Sequence, residues 1–156
     1  MKTAIIAGSF DPITVGHTEL IERAYELFGS VRIVMVTNSQ KNYMFDKDTR
    51  LAAIKACFDN PKIIAEHCDG LLAEYAGSIE GGVLVRGIRT AADAGYELEL
   101  ADISYSLEGV ETVILPCRPG KKFISSAFVR ELYKYRRSRN GFVCDSADKI
   151  LTNRTN

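Results

Sequence analysis

Apolar residues in this chain fall into short, nearly continuous runs separated by stretches with helical spacing. Ala4 to Ala7, Val31 to Thr37 and Val83 to Val85 have the pattern of strands buried on both faces. Pro61 to Glu66 and Glu111 to Pro116 read as the third and fifth strands in chain order. Between the first two runs, Leu20, Ile21, Ala24, Leu27 and Phe28 repeat on one face of a helix from about Gly16 to Phe28, with Gly29 as its stop. Asp46 is placed to cap a helix reaching about Phe58, whose inner face carries Leu51, Ile54 and Phe58. Gly70 to Ser78, Ala94 to Leu107, Ser125 to Tyr135 and Ser146 to Thr152 complete the helical segments, and Asn153 to Asn156 is expected to fray.

Strands alternating with helices predict an α/β fold. Parallel strands need crossovers and crossovers are right-handed, so the expectation is a single Rossmann-like, doubly wound parallel five-stranded sheet, order 3-2-1-4-5, with helices on both faces. In that order strands one and four are neighbours where the winding reverses, and ligands bind there beyond the carboxyl ends. One domain is expected over residues 1–156, with a core from about 3 to 135 and a C-terminal helical tail, 136–156.

Composition narrows the function by exclusion. Twenty basic residues balance twenty acidic ones in 156 residues, so no overall field draws the protein to nucleic acid or to an anionic membrane, and any bound anion must be met by local charge. No apolar run approaches the roughly 20 residues of a membrane span, and Met1 to Gly8 is too short for a secretory signal, which together point to the cytoplasm. Four cysteines, Cys57, Cys68, Cys117 and Cys144, lack metal-site spacing. They are expected as free thiols, buried or, at Cys144, on the surface, and are given no chemistry.

The stretch GSFDPITVGH, Gly8 to His17, joins the first strand to the first helix. Glycines let a backbone pass close to a ligand, and the helix N-terminus that follows offers amides and partial positive charge to an anion. Arg86 and Arg89 of RGIR leave the fourth strand and would open onto the same crevice; they either hold an anion or pair with Asp93 and Glu97. Lys41 lies on the polar loop Asn38 to Phe45 after strand two. Lys121 and Lys122 precede a helix that Ser125 or Ser126 can cap. They are either a solvated turn or part of the same anion site.

Taken in order, GSFDPITVGH, the lysine and Met-Phe of KNYMF, RGIR, YELELA at Tyr96 to Ala101 and FISSAFVRE at Phe123 to Glu131 resemble the bacterial phosphopantetheine adenylyltransferases. The resemblance implies a nucleotidyltransferase of coenzyme A biosynthesis that moves the adenylyl group of ATP onto 4′-phosphopantetheine, releasing pyrophosphate. It places ATP against Ser9, Phe10, His17, Gly87, Ile88, Arg89, Glu97 and the run Lys121, Lys122, Phe123, Ile124, Ser125, Ser126 and Ala127. Phosphopantetheine falls against Ser9, Lys41, Leu72 and Arg86. It implies His17 as the stabiliser of the α-phosphate in the transition state, with Arg89 and Lys41 as further catalytic cations. Magnesium (Mg2+) is expected through the ATP phosphates, without protein ligands, and Asp11 is expected to fix its turn. A homohexamer restrained by coenzyme A is implied as well. Asn42, Tyr43, Ala94, Gly95 and Ala127 depart from the family pattern. The alternatives are another adenylyl- or cytidylyltransferase on the same scaffold, or a non-catalytic sensor of nucleotide or coenzyme A.

Overall fold

A computed structural model describes residues 2–153, so the expected fraying falls for residues 154–156 outside the described residues. The elements run β1 (Thr3–Gly8), α1 (Val15–Phe28), β2 (Val31–Val36), α2 (Lys47–Ala56), β3 (Ile63–Cys68), α3 (Leu72–Ser78), β4 (Gly82–Ile88), α4 (Ala91–Glu108), β5 (Thr112–Pro116), α5 (Ser126–Lys134) and α6 (Asp145–Thr152). All four strand pairings are parallel, in the order β3-β2-β1-β4-β5.

Alternation along the central strands divides the core into two layers. Ala4, Ile6, Ile33 and Met35 face one side, where they meet Ile21 and Ala24 of α1, Ala53 and Ile54 of α2 and Val129 of α5. Ile5, Val34 and Leu84 face the other, packed with Ala76 of α3. The segment after Tyr135 belongs to the first layer: Val143, Ala147 and Leu151 are buried in it, and α6 packs on α2.

Boundaries differ from the sequence reading at β3, β4 and α4, each for a physical reason. β3 starts two residues later than Pro61, because Asn60 turns the chain: its side chain accepts from the Lys62 N–H and its carbonyl from the Ile63 N–H. β4 does not stop at Val85. Arg86, Gly87 and Ile88 remain paired with Ile114, Leu115 and Pro116, so Gly87 is a strand residue. Its missing side chain admits Leu20 of α1, whose Cδ2 would lie 3.0 Å from a Cβ there. The helix that follows starts at Ala91 rather than Ala94, with Thr90 and Asp93 capping each other's backbone N–H groups.

Candidate active site

The first loop is built from inside. Phe10 adopts φ 46°, an unusual backbone for a bulky residue, and its buried ring fills space that a Cβ on Gly8 would enter at 3.3 Å. The ring packs edge-on against His17, with centroids 5.1 Å apart. His17 is the third residue of α1 and closes a capping box with Thr14: its Nδ1 accepts the Thr14 backbone N–H at 3.0 Å and lies 3.0 Å from the Thr14 hydroxyl. An amide nitrogen can only donate, so Nδ1 carries no proton. Burial, followed by the charge of Arg89, pushes the imidazole down to about 4 from its ordinary 6.5. At neutral pH His17 is therefore uncharged, with its one ring proton on Nε2.

Contacts with α2, α5 and the loop after β2 clamp this loop. Asp11, 4% exposed, accepts the backbone N–H groups of Met44 at 2.9 Å and Phe45 at 3.0 Å. Thus Asp11 does fix structure, but it fixes the end of the Lys41 loop rather than its own turn. Arg50 of α2, 2% exposed, donates to the Ser9 carbonyl at 2.7 Å and the Phe45 carbonyl at 3.1 Å, and lies over the Tyr43 ring at 4.0 Å. Arg130 of α5 donates to the Asp11 carbonyl, and Ser126 donates to the Pro12 carbonyl at 2.8 Å.

Beyond the carboxyl ends of β1 and β4 the loop opens onto a cavity of about 330 Å³. Arg23, Arg86, Arg89, Arg118 and Lys121 line it against the carboxylates of Glu19 and Glu97, so the balanced chain concentrates positive charge here. Both carboxylates are engaged. Glu97 holds Arg86 through two hydrogen bonds, 2.5 and 3.0 Å, while Arg86 also reaches the Ala7 carbonyl at 3.2 Å. Glu19 holds Lys121 at 2.6 Å and has Arg118 at 3.9 Å. Arg89 keeps a looser pairing with Asp93 at 3.6 Å. The Arg89 backbone N–H, more than any other contact, holds the Asp93 carboxyl below the usual carboxylate range. The start of α5 closes the cavity, Ser125 capping the helix by accepting the Phe128 N–H at 3.1 Å. Cations, amides and a neutral imidazole donor surround the space. Such a set suits a polyanion whose charge is rearranged, rather than a reaction needing an acid/base pair of carboxylates.

The family model described as cytidylyltransferase-like matches residues 5–132. A phosphopantetheine adenylyltransferase from Christiangramia forsetii is 37% identical, across 85% of this chain and 88% of its own length. Namesakes from Haemophilus ducreyi and Bacteroides thetaiotaomicron are 36% and 38% identical, covering 99% and 92% of this chain and 97% and 95% of theirs. This chain belongs to the phosphopantetheine adenylyltransferase family. A solved structure of a lipopolysaccharide core biosynthesis protein from Thermoplasma volcanium superposes with a TM-score of 0.56 at 22% identity, over 76% of this chain and 97% of that one, which shows the shared fold.

Of the positions that resemblance to the adenylyltransferases implicates, Phe10, His17, Arg86, Gly87, Arg89, Glu97, Lys121, Ile124, Ser125 and Ser126 line the one cavity. Ser9 is half-buried beside it, its carbonyl held by Arg50. Ile88 and Lys122 border a separate depression with Arg89 and Cys117. Phe123 is 62% exposed and turns its ring edge toward Phe142 of the C-terminal segment. Ala127 and Lys41 are exposed. Leu72 starts α3 and packs against the second core layer. Sequence reasoning missed Glu19, Arg23 and Arg118 on the cavity wall, and Arg50 and Arg130 beneath the loop. Glu19 and Arg23 had a usable signal: with Gly16 and Leu20 they share the face of α1 that starts under His17. Arg50 had none, being a basic residue in a helix with basic and acidic neighbours.

Proposed function

We propose that this chain transfers the adenylyl group of ATP to 4′-phosphopantetheine, yielding dephospho-coenzyme A and pyrophosphate. The observation that carries the reading is the neutral, Nδ1-accepting His17 facing a cavity walled by Arg86, Arg89 and Lys121, in a chain of this family. An oxygen of the incoming phosphate forms the new bond to the α-phosphorus of ATP as the bond to the pyrophosphate oxygen breaks in line. That phosphate is already largely ionised at neutral pH, so no general base is required. Nε2–H of His17 donates to an α-phosphate oxygen as its charge grows, while Arg89, Lys121 and the N-terminus of α5 hold the other ATP phosphates. Arg86 and Lys41 receive the attacking phosphate. Lys41 reaches it only if its exposed loop folds inward, anchored at Met44 and Phe45.

Magnesium fits this site as part of the nucleotide. With Glu19 and Glu97 taken by Lys121 and Arg86, its ligands would be phosphate oxygens and water, and it would supply neutralisation of phosphate charge. Homo-oligomerisation is supported by α4, whose Tyr96, Leu98, Ile103, Tyr105 and Leu107 are all more than half exposed, and the hexamer is the assembly that resemblance to the family implies. Restraint by coenzyme A would follow if that molecule, sharing the pantetheine arm, competes for the same edge. The absence of any membrane-crossing helix among the described residues is compatible with a cytoplasmic enzyme.

The test is pyrophosphate release from ATP and magnesium, with 4′-phosphopantetheine and nicotinamide mononucleotide offered separately. Release with the first alone is the expected result. Release with the second alone would make the chain a different nucleotidyltransferase, and ATP binding with no release would make it a sensor.

A further inference from the structure

The C-terminal segment, which the catalytic reading leaves unused, carries a pair of sulfurs. Cys57 ends α2 as its C-cap and Cys144 begins α6 as its N-cap. Their Sγ atoms are 2.7 Å apart although the residues are 87 positions apart in sequence, a separation that leaves no room for a third atom between them. Other contacts already set this approach. Ala147 and Leu151 bury α6 in the core, and Asp148 is held by the Tyr133 hydroxyl at 2.5 Å and by Arg139 at 3.1 Å. Both cysteines are half-buried rather than sealed in the core. Cys68 and Cys117 lie elsewhere, at the carboxyl ends of β3 and β5, and have no such partner in sulfur.

We propose that Cys57 and Cys144 are a modification site at which a small-molecule disulfide of the glutathione class closes an intrachain disulfide, clamping α6 to α2. The thiolate of Cys144 attacks one sulfur of the small disulfide, whose S–S bond breaks and expels one thiolate, which takes up the proton that Cys144 released. The sulfur of Cys57 then attacks that of Cys144, breaking the mixed disulfide and expelling the second thiol, which takes up the Cys57 proton. Two protein thiols are oxidised and one small disulfide is reduced. Cys144 stands at the N-terminus of α6, where the helix favours a thiolate, whereas Cys57 stands at the C-terminus of α2 and donates its S–H to the Ala53 carbonyl at 3.3 Å, which makes Cys57 the resolving sulfur rather than the first attacker. The clamp would fasten the C-terminal segment to the helix that also carries Arg50 under the first loop. A disulfide across so long a loop stabilises chiefly by restricting the unfolded chain, by an amount that raises the melting temperature by about 10–20 °C for a chain of this size.

The whole protein is equilibrated with glutathione disulfide, residual thiols are alkylated, and intact mass and non-reduced peptide maps are recorded. The expected result is a loss of two hydrogen masses, a single peptide pair joined through Cys57 and Cys144, and a higher melting temperature that reverts on reduction. Cys57→Ser should stop closure and leave Cys144 carrying the small thiol. A wild-type map in which both residues are alkylated, or in which either retains the small thiol, overturns the proposal whether or not the variant folds. Neither cysteine lines the candidate active site, so this outcome and the adenylyl-transfer assay fail independently.

Discussion

The two loops that follow the first two strands differ in how they are made. Gly8 to Thr14 is walled by buried side chains and tied by Arg50, Arg130 and Ser126 from two other elements, so His17 at its far end is aimed before any ligand arrives. The loop Asn38 to Phe45 is exposed over Lys41, closes on itself where the Asn38 N–H donates to the Tyr43 hydroxyl at 2.7 Å, and is held to other segments through Asp11 and the stacking of Tyr43 on Arg50. For the proposed reaction, one loop would be preorganised for charge development, where misplacement costs rate, and the other would admit a bulky second substrate, where stiffness costs access.

The sharpest way to break this contrast is His17→Ala. Removing a single preorganised donor should lower kcat by about 100- to 1000-fold with a much smaller change in KM for ATP. An unchanged kcat would end its assignment to the transition state. Asp11→Ala should come next, because it strands the Met44 and Phe45 N–H groups. Loss of hydrogen bonds to a buried carboxylate predicts about 2–3 kcal/mol in denaturant unfolding and a raised KM for 4′-phosphopantetheine. If stability falls and that KM does not, the loops are mechanically separate.

A third measurement concerns proton linkage at His17. Its folded value, about 4, lies below the 6.5 of the unfolded chain, so on acidification the unfolded state takes up the proton first. The contribution to stability is whole above pH 6.5 and is lost as pH falls toward 4, by about 3 kcal/mol in all. Unfolding free energies of wild type and His17→Gln, compared across that window, should show the loss in wild type only. A constant difference would mean that folding does not lower the proton affinity of His17. The smallest expected effect is that of Lys41→Ala: roughly tenfold in KM for 4′-phosphopantetheine, from one lost phosphate contact, with unfolding free energy changed by less than about 0.5 kcal/mol, as for an exposed residue.

Much of the fold was legible because its signals are periodic or local. The buried runs of β1 and β2, the Asp46 cap of α2 and the Ser125 cap of α5 rest on residues within a few positions of one another. The late start of β3 was also written locally, in Asn60 and Pro61, and was missed because turn chemistry was outweighed there by the apolar pair Ile63 and Ile64. The length of β4 was not legible in this way: RGIR looks like a turn until β5 supplies hydrogen-bond partners for it.

The candidate site divides along the same line. That Gly8 to His17 and RGIR share an edge followed from strand order alone, since parallel strands with right-handed crossovers place β1 beside β4. What each polar side chain does there did not follow. Arg86 with Glu97, Lys121 with Glu19, Asp11 with the far end of another loop and Arg50 with the Ser9 carbonyl are contacts between residues 11 to 102 positions apart. The sequence determined the elements, their order and the edge at which chemistry collects, because backbone hydrogen bonding and burial impose repeats that a linear pattern records. Only the tertiary structure decided which charges neutralise one another and which donors remain, because a polar pair imposes no period on the sequence and is selected by where the packed elements bring its two ends.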